Sequence, residues 1–444
     1  MSFFDYPEAP WTVLLIVVSL ATSAFFLNRR RHIFDPRVWF PLLYGYLIYA
    51  PCLHSLWFDM PYHRGVRLEL LPDMLWAACL VIVGFSIGAS LAMGRLGRTP
   101  LGGSGSFVVL PPASRAVAGT VRTLSLAGAL AAITGYAYFT WQLHAAQPIG
   151  DAGSKTAILA SAPLHVVKGL RTTTALCTVL LVTYVIADST CGRRLVSAGT
   201  VGSILYYAAI CILGGEREFV LVAAIWFAAN WNRLARRVRI AAILGGIGVI
   251  SLIPILRQNG GDLSRLSQMN LGDASKSVMV LTSSHTLYTT TVELVPDRCP
   301  YWYGRSVVNA VRSFLPAQPE SVDYTPMYWF AENYDLQGRS GLAFSQEAEA
   351  YLNFGLWGVP IWFGVWGLLV GTMYRRAHSP GATLLGVFLW WQSATAFMFS
   401  VRADIRTPLK IIVFGAIAVK LMSLTATLLN DYGRTRRPVP VVTR

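Results

Sequence analysis

Residues 11–27 read WTVLLIVVSLATSAFFL, a run without a charged side chain that begins soon after the first residue. A helix needs about 20 mostly apolar residues to cross the hydrocarbon core of a bilayer, so this run is a candidate membrane span. The residues before it include Asp5 and Glu8 and no basic residue, unlike the start of a cleavable signal peptide. We therefore expect the run to be retained as a membrane helix.

Similar apolar runs recur throughout the 444 residues, of which 54% are hydrophobic and 13% are charged. Ordinary soluble domains are roughly 25% charged, so the composition excludes a water-soluble globule. The sequence instead predicts an all-α polytopic membrane protein with about eleven transmembrane helices. These begin near Trp11, Trp39, Leu71, Val117, Leu170, Val196, Phe219, Ile240, Leu352, Ala382 and Leu409.

The basic residues between the spans predict the orientation, because cytoplasmic loops are enriched in Lys and Arg. Every second loop between the predicted spans is rich in Arg, and we expect these Arg-rich loops to face the cytoplasm. The amino terminus then lies outside and the carboxyl terminus inside. Most of the net charge of +15 then serves membrane topology, so a nucleic-acid partner is not needed. The alternate loops that carry nineteen arginines are 29–37, 95–115, 193–194, 233–239, 375–376 and 434–444.

The segment Ser275–Leu294 is apolar enough to compete as a further span. If this segment crossed the membrane, Arg375 and Arg376 would lie outside, against the rule that loops rich in Lys and Arg are cytoplasmic. We call this the topology rule, and we therefore interpret the segment as a peripheral amphipathic helix. One long external loop then precedes the ninth span, and loops of this length are usually functional. The predicted parts are spans 1–8 in residues 1–256, the external loop in 257–343, spans 9–11 in 344–430 and a basic cytoplasmic tail in 431–444.

Arginines that break the topology rule are the first candidate site residues. The stretch CILGGEREF contains Arg217, PILRQNGG contains Arg257, and SVRADIRTP contains Arg402 and Arg406. If the last stretch is helical, its two arginines share a face. Snorkelling beside a neighbouring acid is the structural alternative for any one of them. Several guanidinium groups on one membrane face predict a site for a lipid-linked phosphate or pyrophosphate, which Arg binds bidentately.

The second candidate is the stretch GLAFSQEAEAYLNFG at residues 341–355. On a helix, Ser345, Glu349 and Asn353 form one polar stripe, whereas Glu347 points to another face. A carboxylate inside the hydrocarbon is costly, and we interpret Glu349 as a general base, with His285 as a second candidate. An ion pair between Glu349 and an external Arg is the structural alternative. The other candidates for the base are Glu216, Glu218, Glu347 and Asp404.

Two further charges fall inside predicted spans. Arg122 lies near the inner end of its span and is expected to snorkel to the interface. Lys420 lies deeper in the last span and is expected to face the interior of the bundle. Neither residue is assigned to the candidate site.

The motif YWYG at residues 301–304, followed by RSVVNAVRSFLP, and the pattern G-x-x-x-S-x-x-x-E-x-Y-x-N-F-G at 341–355 resemble the Wzy-type polymerases of bacterial O-antigen and exopolysaccharide repeat units. The resemblance covers roughly residues 214–406. It implies an integral-membrane glycosyltransferase of the bacterial cytoplasmic (inner) membrane, with its active face on the periplasmic side. The implied donor and acceptor are both undecaprenyl-pyrophosphate-linked oligosaccharides.

The resemblance also implies roles and partners. Arg residues would grip the pyrophosphate, and no metal or cofactor is expected because the leaving group is already activated. A chain-length regulator protein is an implied partner. The alternatives are a ligase that transfers finished glycan to another acceptor, and a flippase or transporter of lipid-linked glycans. A transporter would be expected to show inverted repeats or broken midplane helices, and no internal repeat is clear in the sequence.

Overall fold

The computed structural model describes residues 9–28, 34–58, 68–94, 110, 112–146, 163–191, 198–213, 218–241, 245, 286–314, 325–333, 344–379, 381–400 and 403–435. Within these ranges the regular elements are helices, and no strand occurs. The α-helices are α1 (Ala9–Asn28), α2 (Pro36–Phe58), α3 (Leu71–Met93), α4 (Pro112–Ala146), α5 (Leu164–Cys191), α6 (Ala198–Leu213), α7 (Glu218–Asn230), α8 (Thr286–Leu294), α9 (Arg305–Arg312), α10 (Pro326–Asn333), α11 (Gln346–Ala377), α12 (Leu384–Ser400) and α13 (Arg406–Thr435).

Six of the described helices, α1, α3, α4, α5, α11 and α13, are long and apolar enough to cross a membrane. Helices α6, α7 and α12 contain shorter apolar segments. Each predicted span coincides with a described helix except the eighth, near Ile240, which falls largely outside the described residues. The prediction of an all-α membrane protein is therefore supported, and the count of eleven spans stays a prediction.

The chain divides into two compact units, and both Glu349 and Arg406 belong to unit 1. In unit 1, α1, α2 and α3 pack against one another. In unit 2, α4 packs against α5 and α6, and α7 packs against α5 and α6. Unit 1 comprises Met1–Gly103, Val249–Arg375 and Gln392–Val413, and unit 2 comprises Ser104–Gly248, Arg376–Trp391 and Phe414–Arg444.

Aromatic rings fill the core of unit 1 where α2, α3, α11 and α12 meet. The ring centroid of Phe40 lies 3.9 Å from that of Phe85 and 4.9 Å from that of Phe397. Phe363 and Trp366 of α11 lie 5.9 Å and 5.4 Å from Phe397. Such aromatic pairs contribute about 0.5–1.5 kcal/mol each beyond their burial, so this cluster stabilises the position of α11 in unit 1.

Glycines bring α3 and α11 to backbone contact. A Cβ atom added at Gly84 would clash with the backbone of Pro360, and one added at Gly88 would clash with the carbonyl oxygen of Gly364. Gly367 makes a similar backbone contact further along α11. The contacts advance in the same direction along both helices, so α3 and this part of α11 run parallel. Small residues at such interfaces are typical of membrane helix pairs.

Unit 2 contains a polar network between its helices. Arg122 of α4 lies 3.3 Å from Asp188 of α5, measured from Nη1 to Oδ1. The Thr200 hydroxyl of α6 donates to the other carboxylate oxygen of Asp188 at 2.8 Å. Arg122, which the sequence suggested would snorkel, therefore has an acidic partner.

The prediction that Lys420 faces the interior is wrong for the described part of unit 2. Lys420 is exposed, whereas the adjacent Val419 is fully buried. With 3.6 residues per turn, consecutive residues of a helix point in directions about 100° apart, so α13 buries one and exposes the other. The exposed face also carries Ile417 and Leu421, as expected for contact with lipid.

Candidate functional site

Helix α11 folds back on itself at Gly355. Gly355 has φ +67° and ψ −166°, a backbone conformation essentially restricted to glycine. The Trp362 indole Nε1 donates to Gln346 Oε1 at 3.3 Å, although sixteen residues of continuous helix would rise about 24 Å. Residues 346–354 therefore lie beside the residues that follow them. We call 346–354 the short arm and 356–377 the long arm.

The YWYG segment closes the carboxyl end of the short arm. The backbone N–H groups of Trp302 and Tyr303 donate to the carbonyls of Leu352 and Asn353 at 2.9 Å and 3.0 Å. Tyr303 and Gly304 have positive φ angles of 45° and 87°. The last carbonyls of a helix have no partner inside the helix, so this segment supplies donors that the short arm itself cannot provide.

Asn353 joins the short arm to α9 with all parts of its amide. Its Nδ2 donates to the Ser306 hydroxyl at 2.8 Å and to the Glu349 carbonyl at 2.7 Å. Its Oδ1 accepts the Gly304 N–H at 2.9 Å. Because Ser306 Oγ accepts from Asn353, the hydroxyl proton of Ser306 is left to donate elsewhere. Two members of the predicted polar stripe, Glu349 and Asn353, therefore both interact with Ser306, and Asn353 connects to the YWYG segment, whereas the Ser345 hydroxyl interacts with Glu347 instead.

Glu349 is completely buried, and its two carboxylate oxygens differ. Oε2 accepts the backbone N–H of Ile405 at 2.7 Å. Oε1 has no hydrogen-bond partner among the described residues. The Ser306 hydroxyl interacts with this carboxylate. One oxygen thus fixes the side chain, and the other remains available to accept a proton.

Asp404 brings a second carboxylate to the same place and interacts electrostatically with Glu349. Burial raises the pKa of Asp404 above its usual range, and bonds from Thr407 and the charges of Arg406 and Lys410 oppose that rise. Asp404 Oδ1 accepts from the backbone N–H and the hydroxyl of Thr407 at 3.4 Å and 3.3 Å. The carboxylate therefore also caps the start of α13.

These groups line a small pocket in unit 1 with a volume of about 10 Å³, which is about one water molecule. The pocket can admit a single oxygen atom of a larger molecule beside the two carboxylates. Its lining residues are Ser306, Asn309, Ala310, Thr325, Pro326, Glu349, Asp404, Ile405 and Arg406.

The structure brings together two of the six predicted site residues, Glu349 and Arg406, at this pocket. Helix α13 begins at Arg406, and residues 403–405 are not helical, so the expectation that Arg402 and Arg406 share a helix face is not met. A shared face would require one helix that contains both arginines, and α13 begins only at Arg406. The other predicted site residues, His285, Arg217, Arg257 and Arg402, lie outside the described residues, and their roles stay predictions.

Ser306 and Ile405 were not anticipated from the sequence as parts of the site. Ile405 acts through its backbone N–H, which no side-chain pattern can reveal. Ser306 follows the YWYG motif by two residues, and this proximity was the available signal. Asp404 was noted only as one of several alternative bases.

We expect Asn353→Ala to lower the free energy of unfolding by about 2–4 kcal/mol, because it removes three hydrogen bonds and leaves buried groups unpaired. Thermal or denaturant unfolding of the purified protein in detergent measures the change. Asn333→Ala is the matched control, since Asn333 is exposed, its Nδ2 donates within its own helix, and its Oδ1 accepts only a weak bond from the Cys299 thiol. Equal effects of the two substitutions would contradict the assigned role of Asn353.

Comparisons of the chain with family models, curated proteins and solved structures found no match.

Proposed function

We propose that this protein is a membrane glycosyltransferase that polymerises undecaprenyl-pyrophosphate-linked oligosaccharide repeat units into a surface polysaccharide, an O-antigen or an exopolysaccharide. The observation that carries the proposal is the buried Glu349 carboxylate, which has one anchored oxygen, one free oxygen and an arginine at the same pocket. The resemblance of the sequence motifs to Wzy-type polymerases agrees with this chemistry. The proposed location is the bacterial inner membrane, with the site facing the periplasm.

Glu349 suits the role of general base. A general base needs an oxygen that has no other hydrogen-bond partner, and this oxygen must come within hydrogen-bond distance of the proton that it removes. Oε1 of Glu349 has no partner among the described residues and meets the first of these two requirements. The water-sized pocket suits entry of one hydroxyl group of the acceptor sugar. Ile405 and Ser306 hold the carboxylate in place, so little reorganisation is needed during proton transfer.

Arg406 is well placed to stabilise the negative charge of the pyrophosphate leaving group. It lies in the first turn of α13, where the helix dipole already contributes about half a positive charge, and a second positive charge there is unfavourable without an anion. Asp404 supplies part of that negative charge. A departing pyrophosphate would interact with the arginine and with the helix terminus together. Arg217, Arg257 and Arg402 are proposed as further pyrophosphate ligands from the sequence.

The proposed reaction is a displacement at the anomeric carbon of the donor. The acceptor hydroxyl loses its proton to Glu349 Oε1 and forms the new C–O bond. The bond between the anomeric carbon and the pyrophosphate oxygen breaks, and undecaprenyl pyrophosphate departs with the electron pair. The protonated Glu349 then returns its proton to solvent.

The test is incubation of the purified protein with a synthetic polyprenyl-pyrophosphate oligosaccharide, followed by separation of products by length. A ladder of repeat lengths on the polyprenyl carrier is the expected result. Transfer of one glycan to a different lipid or protein acceptor would instead identify a ligase.

The folded-back α11 also suits a transporter of lipid-linked glycans, because broken helices are common at transporter sites. Reconstitution into liposomes separates the two functions. Movement of an intact labelled lipid-linked glycan between leaflets, without elongation, would reject the polymerase proposal in favour of a flippase.

We expect Arg406→Ala to reduce the rate of polymer formation by about 10²–10³-fold, the effect usually seen on loss of one charge-stabilising donor. Arg406→Lys should restore part of the rate because it keeps the charge but loses bidentate contact. The readout is the initial rate of ladder formation. Arg375→Ala, at an exposed arginine near the end of α11, is the control and should leave the rate unchanged.

A further inference from the structure

Helix α9 has its polar residues on the inside and its apolar residues on the outside. Ser306, Asn309 and Ala310 are buried on one face, where they line the pocket. Val308 and Val311 lie on the opposite face and are 49% and 58% exposed. A surface helix in water has the reverse arrangement, so the outward face of α9 is suited to an apolar environment.

Polar bonds hold the inward face of α9 against the short arm. Asn353 Nδ2 donates to the Ser306 hydroxyl at 2.8 Å, and the Gly304 N–H donates to Asn353 Oδ1 at 2.9 Å. Helix α9 cannot turn its valines inward without breaking these bonds. The exposure of Val308 and Val311 is therefore a fixed feature of the fold.

The outward face of α9 lies beside the start of a membrane-spanning segment. A Cβ atom added at Gly304 would lie 3.4 Å from the half-exposed Phe354 ring, one residue before the turn at Gly355. The long arm follows directly, and Trp357 and Ile361 continue its exposed apolar surface. Tryptophan is enriched where membrane helices meet the lipid headgroups. The apolar face of α9 therefore continues the surface that α11 presents to lipid.

Two arginines flank the outward face of α9. Arg305 and Arg312 are both exposed and lie seven residues apart, almost two full turns, so they point to the same side of the helix. The Arg305 guanidinium lies over the Trp302 ring, 5.6 Å from its centroid. An apolar face bordered by Arg and aromatic side chains is typical of helices that lie in the plane of the bilayer surface. Guanidinium groups match the phosphates of lipid headgroups.

We propose that the outward face of α9 is a binding surface for anionic phospholipid, with Val308 and Val311 among the acyl chains and Arg305 and Arg312 at the headgroup phosphates. Lipid then supports this wall of the pocket from outside, while Ser306 faces inward. The inference concerns contact with the membrane and does not depend on the proposed glycosyl transfer.

The test is photo-crosslinking of the full-length protein in nanodiscs that contain equal amounts of phosphatidylcholine and phosphatidylglycerol. The photoreactive residue p-benzoylphenylalanine replaces Val311, or Val308 in a second variant, and mass spectrometry identifies the adducts. We expect phospholipid adducts from both variants, with phosphatidylglycerol favoured about fivefold or more, the effect of roughly one arginine near an anionic surface. Absence of lipid adducts from either variant, or a crosslink to a second polypeptide, would overturn the proposal.

Neutral variants assign the lipid preference to the two arginines. Arg305→Gln combined with Arg312→Gln should remove most of the preference for phosphatidylglycerol, while lipid adducts at Val311 persist. Arg312→Gln alone keeps the contact of Arg305 with its tryptophan, should remove part of the preference, and carries the test if the double variant does not fold. Arg298→Gln combined with Arg375→Gln, at two exposed arginines outside α9, is the control of equal charge and should keep the full preference. A preference that survives in the α9 variants overturns the role of their arginines.

Discussion

Replacement of Glu349 by Gln is expected to reduce the rate of repeat-unit polymerisation by about 10²–10⁴-fold, the usual contribution of a general base. The amide is nearly isosteric with the carboxylate, and its oxygen can still accept the Ile405 N–H that binds Oε2 in the native protein. We therefore expect the variant to insert and fold. The readout is the initial rate of ladder formation by purified protein with a synthetic polyprenyl-pyrophosphate oligosaccharide.

Two further variants test whether the loss of rate is specific to the Glu349 carboxylate. Glu332→Gln removes an exposed carboxylate near the end of α10 and should leave polymerisation unchanged. Asp404→Asn removes the neighbouring carboxylate but keeps an oxygen that can cap α13. If Glu349→Gln retains the native rate and Asp404→Asn loses it, Asp404 is the general base and Glu349 is not.

Replacement of Gly88 by Leu is expected to eliminate most of the folded protein. Even a Cβ atom at this position clashes with the carbonyl oxygen of Gly364, and backbone cannot move aside as a flexible side chain can. Overpacking of a well-packed interface costs about 1–3 kcal/mol for small insertions and more when backbone must separate. The measurement is the yield of monodisperse protein after detergent extraction, together with its melting temperature.

Gly202→Leu is the matched control for Gly88→Leu. Gly202 also lies within a helix, α6, but a Cβ atom there would meet nothing within 4 Å. Both substitutions replace a helical glycine by a good helix former, so the intrinsic preference of the residue is the same in each. A similar yield from the two variants would falsify the claim that α3 and α11 depend on backbone contact at Gly88.

The features that were predicted correctly from the sequence are local. Apolar runs identify membrane helices because a helix in the bilayer must present apolar side chains to lipid or to its neighbours. The four-residue spacing of Glu349 and Asn353 places both residues on one face of the short arm. Lys420 shows the limit of this reasoning, since composition located it within a span but not on which side of the helix it lies. That side depends on neighbouring helices.

The features that were missed are non-local. The sequence on both sides of Gly355 is compatible with one continuous helix, and the reversal becomes evident only when Trp302 and Tyr303 supply donors to the short arm. Asp404 meets Glu349 across a long separation in the chain, and Ile405 contributes a backbone group. The sequence indicated the right motifs but not that they form one pocket.

The dependence of the short arm on the YWYG segment also limits how this protein can be recombined with others. The carbonyls of Leu352 and Asn353 are paired by Trp302 and Tyr303, which belong to a separate stretch of the chain. A chimera that imports residues 344–377 alone would leave those carbonyls facing mismatched donors. An exchange of substrate preference between two such proteins would therefore have to transplant 301–306 and 344–377 as a single module.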